Sequence, residues 1–144
     1  MCNVMAAYTR YQKPVIVVDF GTALTFTAVD SSGEVLGVNI VPGLQTAIKA
    51  LFMNTSKLPE VELKLPESAL GKNTIHAIQA GVLYGYTGLV KGMLEAIQVE
   101  TGLSFRVVAT GGLSSILTTL EGTFDAVDRN LTLDGLRLIT EANS

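Results

Sequence analysis

Apolar positions along the chain keep two rhythms, one of period two and one of helical spacing. Val15 to Phe20, V-I-V-V-D-F, is an apolar run interrupted only by Asp19. Period two sets Val15, Val17 and Asp19 on one face and Ile16, Val18 and Phe20 on the other. Both faces are apolar, as in a central strand. Thr25 to Asp30 and Val35 to Val41 read as two more strands, rich in β-branched residues. Asp30-Ser31-Ser32-Gly33 reads as the turn between them. Pro42-Gly43 ends the third strand. A helix from Leu44 to Phe52 follows, with Leu44, Ile48, Leu51 and Phe52 as its stripe. Ahead of the first strand, Asn3 to Tyr11 has helical spacing and stops at Lys13-Pro14, since the residue before proline avoids helix.

Met53 to Gly71 holds Pro59, Pro66 and an alternating V-E-L-K-L, which predicts an extended crossing segment. Asn73 is a suitable N-cap for a long helix running to about Glu100, with Gly102 at its C-terminal cap. Phe105 to Ala109 is a short buried strand. Thr110-Gly111-Gly112 then leads into a helix predicted over Leu113 to Leu120. Phe124 to Val127 is a further sheet element, Asp128 to Leu131 a turn, and Leu133 to Ala142 a final helix. No internal repeat is present. The order β-β-β-α, then α-β-α, predicts one α/β domain over residues 1–144. Its mixed sheet is an antiparallel meander with parallel strands added, flanked by helices, as in a ribonuclease-H-like lobe of the actin-like ATPases.

Composition narrows the chemistry. The 144 residues carry 10 basic and 13 acidic side chains in mixed order, with no basic patch, which argues against nucleic acid as the main ligand. One cysteine, Cys2, cannot make an intramolecular disulfide, and with His76 as the only histidine a Cys/His metal cluster is excluded. No signal-peptide pattern opens the chain, and no apolar run reaches the roughly 20 residues that span a bilayer. The expectation is a soluble, cytoplasmic protein without a membrane partner. A mean hydropathy of +0.41 and 14 glycines add that a large face is buried against a partner or another domain.

Four places can carry chemistry. Asp19 stands at the carboxyl end of a strand, where open α/β sheets bind ligands. The backbone N–H groups of Gly21, Thr22 and Ala23 can cradle phosphate oxygens, with hydroxyls from Thr22 and Thr25. A carboxylate beside a triphosphate is repulsive, so Asp19 there implies a bridging cation or a water shell. The alternative is an ordinary hairpin turn, in which Asp and Gly are common. Thr110-Gly111-Gly112 lets a ligand approach the backbone next to a helix N-terminus, or is simply a tight βα turn. In Gly71-Lys72-Asn73-Thr74, Asn73 is explained by capping, whereas Thr74 is left open for an oxygen-rich substrate. Gly81, Gly85, Gly88 and Gly92 share one helix face and predict close packing, at a domain or subunit contact. His76 reads as structural or exposed.

At these residues the chain resembles the type III pantothenate kinases, from about Cys2 to Asn143. The blocks that carry the resemblance are V-D-F-G-T-A-L-T, G-V-N-I-V-P-G, G-K-N-T-I-H-A-I-Q-A-G, Y-G-Y-T-G-L-V-K-G, V-V-A-T-G-G-L and L-T-L-D-G-L. The resemblance implies an actin-like fold and transfer of the ATP γ-phosphate to pantothenate with Mg²⁺, the first step of coenzyme A synthesis. It also implies a homodimer and a monovalent cation, K⁺ or NH₄⁺. By position Asp19 looks like the potassium ligand, Thr22 an ATP contact, Thr74 a pantothenate contact, and Gly111 and Gly112 the nucleotide-side turn. Val38 stands where many relatives have Gly, and Thr27 where some have Asp. The family's D-x-G-N-T and G-x-D-R motifs do not occur, and Asp128-Arg129 is no substitute. The expectation is therefore the second lobe of a two-lobed kinase, with the catalytic base upstream of Met1 and little turnover alone. The alternative is a non-catalytic nucleotide-binding, scaffold or regulatory relative. Another sugar-kinase or actin-like family fits the Gly-Lys-Asn-Thr and Leu-Thr-Leu-Asp-Gly-Leu blocks less well.

Overall fold

The computed structural model describes residues 13–54 and 58–128. The predicted helices at Asn3–Tyr11 and Leu133–Ala142, and most of the turn after Asp128, lie outside the described residues. Strands β1 (Val15–Phe20), β2 (Ala23–Val29) and β3 (Val35–Pro42) form the antiparallel meander. Helices α1 (Leu44–Asn54) and α2 (Thr74–Thr101) follow, then β4 (Arg106–Thr110) and a two-residue β5 (Ala126–Val127). The sheet order is β3-β2-β1-β4-β5, with β4 parallel to β1 and β5 parallel to β4. The mixed sheet is thus the one expected, and β1 occupies its centre.

One face of the sheet meets the helices. Ile16, Val18 and Phe20 of β1, Leu24 and Phe26 of β2, and Val107 and Ala109 of β4 pack with Leu44 of α1 and with Leu83, Val90 and Leu94 of α2. On the other face Val15, Val17 and Val108 are also buried. This explains why β1 and β4 read as continuous apolar runs rather than alternating ones. The predicted stripe of α1 is half right: Leu44 and Ile48 are buried, whereas Leu51 and Phe52 are exposed.

The turn at Asp30 forms as expected, with Asp30 Oδ1 accepting from Ser32 N, Ser32 Oγ and Glu34 N at 2.9, 2.6 and 3.0 Å. The crossing segment is extended, with Leu63 and Leu65 packed on the core and Glu62 and Lys64 outside. Its backbone is held by α2: Gln79 Nε2 donates to Glu62 O at 3.0 Å and Tyr84 Oη to Pro66 O at 2.8 Å. Helix α2 begins at its predicted cap, Asn73, and ends at Gly102, which has a left-handed φ of 67° and donates to Gln98 O.

One expectation fails. The helix predicted over Leu113–Leu120 is a run of turns ending in a single 3₁₀ turn, Thr118–Leu120. The segment G-G-L-S-S-I-L-T-T-L is rich in short hydroxyl side chains that compete for backbone partners. Ser114 Oγ donates to Gly111 O at 2.9 Å, and Thr119 Oγ1 lies 2.7 Å from Thr87 Oγ1 of α2. Burial of Leu117 and Leu120 then fixes the turns in place. No described residue covers the glycine face of α2. Gly81, Gly85, Gly88 and Gly92 are exposed, and a Cβ on any of them would meet nothing within 4 Å among the described residues. They lie on the side of α2 opposite Leu83, Thr87, Val90 and Leu94, so the stripe faces away from the chain's own core.

Candidate functional site

The carboxyl ends of β1 and β4 lie side by side because the two strands are parallel and in register, Asp19 opposite Thr110. On the other side of β1, Asp19 is opposite Thr25 of β2. Register partners in adjacent strands project to the same face. Thr25, Asp19 and Thr110 therefore form one row of oxygen-bearing side chains across three strands, on the face away from the helices. Asp19 and Thr25 are half-buried and Thr110 is fully buried.

Both glycine turns close on that carboxylate. A Cβ on Gly21 would stand 3.6 Å from Asp19 Oδ1, and one on Gly111 2.8 Å from the same atom. Gly111 also has φ +98°, and its added Cβ would stand 2.6 Å from Phe20 O. Only glycine fits there, for both conformational and steric reasons. Gly21, by contrast, has no positive φ, and an added Cβ would make only ordinary contacts. The residue that the first turn demands is Gly43, whose Cβ would run into the Thr22 carbonyl. The turn is held from that side by α1, with Thr46 Oγ1 donating to Thr22 O at 3.3 Å. Pro42, just before it, accepts from Tyr86 Oη of α2 at 2.6 Å.

Gly21, Thr22 and Gly112 share the wall of a cavity of about 390 Å³ with Phe20, Gln45, Thr46, Lys49 and Leu113. The two turns predicted separately are thus brought to one concavity. Ala23 opens β2 at its rim, paired with Pro42. Because no α-helix follows Gly112, the expected helix N-terminus is absent, and the second turn offers only its own backbone. Gln45 and Lys49 were not anticipated from the sequence. Their i, i+4 spacing on the polar side of α1 is the signal that places both toward the cavity. Lys49 is exposed and brings a positive charge to a wall that otherwise carries none.

Thr74 is not among the residues lining this cavity. It is the first residue of α2 and exposed, beside a cap in which Asn73 Oδ1 accepts from His76 N at 2.9 Å. His76 is exposed, and its Nδ1 lies 3.0 Å from Asn73 Nδ2. Gly71, read as part of the same motif, has a packing reason: a Cβ there would run into the backbone of Ala77. Among the described residues no group of three or more His, Cys, Asp or Glu side chains could hold a metal ion. The row around Asp19 is instead one carboxylate flanked by the hydroxyl residues Thr25 and Thr110.

The family model for type III pantothenate kinase matches residues 1–96. The type III pantothenate kinase of Myxococcus xanthus is 48% identical over 141 residues, covering 98% of this chain and 55% of the relative. That of Roseiflexus sp. is 48% identical over 143 residues, covering 99% and 56%. The chain therefore spans about half the length of the curated relatives it matches. Among solved structures, a Baf family protein from Campylobacter jejuni superposes with a TM-score of 0.67 at 24% identity, over 99% of this chain and 64% of its own. (R)-2-hydroxyglutaryl-CoA dehydratase component A from Acidaminococcus fermentans gives 0.50 at 16% identity, over 93% and 62%. These two likenesses show the fold alone, a mixed α/β sheet flanked by helices.

Proposed function

Because the chain belongs to the type III pantothenate kinase family, we propose that it is the second lobe of such a kinase. The complete enzyme transfers the γ-phosphoryl group of ATP to pantothenate, giving 4′-phosphopantothenate for coenzyme A synthesis in the cytoplasm. The observation that carries the reading is the convergence of two glycine turns on one carboxylate at the ends of parallel β1 and β4. Crevices at the carboxyl ends of such strands are where α/β folds take nucleotides.

In this reading the Gly21-Thr22-Ala23 turn faces the phosphates, with the exposed Thr22 as its hydroxyl contact, and Gly111-Gly112 lies on the nucleoside side. Gly21 borders both the cavity and the Asp19 carboxylate, which a Cβ there would approach to 3.6 Å. Asp19, with Thr25 beside it, holds a potassium or ammonium ion, which supplies positive charge close to the phosphates. Mg²⁺ enters with the nucleotide, bound mostly by its phosphates. Lys49 adds a mobile positive charge at the cavity rim. Thr74 contacts pantothenate, and the lobe that completes the enzyme brings that substrate and the base that takes its hydroxyl proton. Phosphoryl transfer rests on positioning and charge stabilisation, and the residues described here supply the positioning half. The chain alone is expected to turn over little pantothenate. The exposed glycine face of α2 is the proposed contact with a second copy in a homodimer.

Calorimetric titration of the chain with ATP, in potassium chloride and in choline chloride, tests the reading. The expected result is cation-dependent binding that Asp19→Asn weakens roughly ten-fold or more, the loss of about one charge-assisted contact. Absence of ATP binding in both salts refutes it and favours a scaffold role.

A further inference from the structure

Thr110 is the one buried polar side chain whose oxygen has no partner among the described residues. Its relative exposure is 0%, and it stands in the row with Asp19 and Thr25. A buried hydroxyl left unpaired is costly, and native proteins rarely keep one without a use. Valine has the same shape, a higher strand propensity and no such cost. Local packing therefore argues for Val at this position, and the chain has Thr.

The neighbourhood shows what the oxygen faces. Parallel register sets the Thr110 and Asp19 side chains next to each other on one face. The next residue, Gly111, is wrapped so closely on Asp19 Oδ1 that a Cβ would come within 2.8 Å of it. The Phe20 carbonyl lies at 2.6 Å from that same Cβ position, so a main-chain oxygen also borders the Gly111 turn. The Asp19 carboxylate only accepts, and a hydroxyl has two lone pairs to offer. A cation, not an anion, suits such a set.

We infer that Thr110 Oγ1 is a ligand of the monovalent cation held by Asp19, and so a positioning residue for the phosphate site. The inference rests on the Asp19 reading given above and extends it to a residue on a different strand. Its consequence is that the ion ties β4 to β1. Cation binding then fixes the Gly111-Gly112 turn relative to the Gly21-Thr22 turn, and with it the width of the nucleotide crevice.

The test is thermal unfolding of the full chain, followed by circular dichroism, with potassium chloride replacing choline chloride at constant ionic strength. Wild type is expected to gain melting temperature with K⁺, since a ligand that binds only the native state stabilises it. Asp19→Asn is expected to lose that gain. Thr110→Val is expected to melt at or above the wild-type temperature in choline, because an orphan oxygen is gone, yet to need roughly ten-fold more K⁺ for the same gain. Thr110→Ser, which restores the hydroxyl, is expected to respond as wild type. If Thr110→Val keeps the wild-type K⁺ response while Asp19→Asn loses it, the inference fails and the Asp19 reading stands. If wild type shows no K⁺ response, or Asp19→Asn keeps it, both fail.

Discussion

Gly111→Ala tests the geometry of the site without reference to any ligand. The alanine would have to hold φ near +98°, a region that costs a side-chain-bearing residue about 1–3 kcal/mol. Its Cβ would meet Phe20 O at 2.6 Å, Phe20 C at 2.7 Å and Asp19 Oδ1 at 2.8 Å. Two of these atoms are main chain of the central strand and cannot rotate away. Overpacking of this kind costs about 1–3 kcal/mol more. The sum, about 2–6 kcal/mol, is a large part of the stability of an ordinary domain. Gly112→Ala is the control, one residue along the same turn. Gly112 has no positive φ and open space where a Cβ would be, so alanine there is neutral or stabilises by about 0.4–1 kcal/mol. Urea unfolding of the two variants beside wild type reads the difference directly. The Gly111→Ala midpoint should fall by about 1–3 M, and that of Gly112→Ala should stay or rise slightly. Equal midpoints for the two variants would refute the close approach of the β4 turn to β1 on which the candidate site is built.

Gly43→Ala should also destabilise, by about 1–3 kcal/mol, and more than Gly21→Ala, because the added Cβ meets the Thr22 carbonyl in one case and ordinary contacts in the other; paired urea curves rank them. Asn73→Ala removes the cap of α2 and should cost about 1 kcal/mol in the same assay. Gly85→Ala with Gly88→Ala should raise the intrinsic stability of α2 by about 1 kcal/mol per site while weakening the proposed dimer. Melting at low concentration and sedimentation velocity read the two effects, and a dimer of unchanged affinity would exclude that face as the contact. The hydrogen bonds from Ser32 and from the Glu34 and Ser32 amides hold the Asp30 carboxyl below its ordinary 3.8. Its contribution to stability is therefore present above that pH and lost as pH falls through the lower folded value. The melting-temperature gap between wild type and Asp30→Ala should close on acidification below 3.8, and a gap independent of pH would show that the charge is not involved.

Much of this was written in the sequence because it depends on local chemistry. The apolar run V-I-V-V-D-F, the Asp30 turn, the Asn73 and Gly102 caps of α2 and the inward leucines of V-E-L-K-L each follow from a few neighbouring residues, and each is found where it was expected. The same holds for Asp19, marked by a carboxylate at the end of an apolar strand. What failed was decided at a distance. Leu113–Leu120 has helical apolar spacing, but Ser114 and Thr119 find partners in Gly111 and in α2, and the turns win. At the first turn the steric demand for glycine falls not on Gly21 but on Gly43, more than twenty residues away, because α1 returns to pack on that turn. What packs on the glycines of α2 is likewise not set by their neighbours in the chain, since no described residue comes within 4 Å of a Cβ placed there. Above all, the sequence holds Thr25, Asp19 and Thr110 as three unrelated positions. Only the pairing of β1 with an antiparallel strand on one side and a parallel one on the other makes them a single row. Strand register is a property of the whole sheet, and no residue carries it alone.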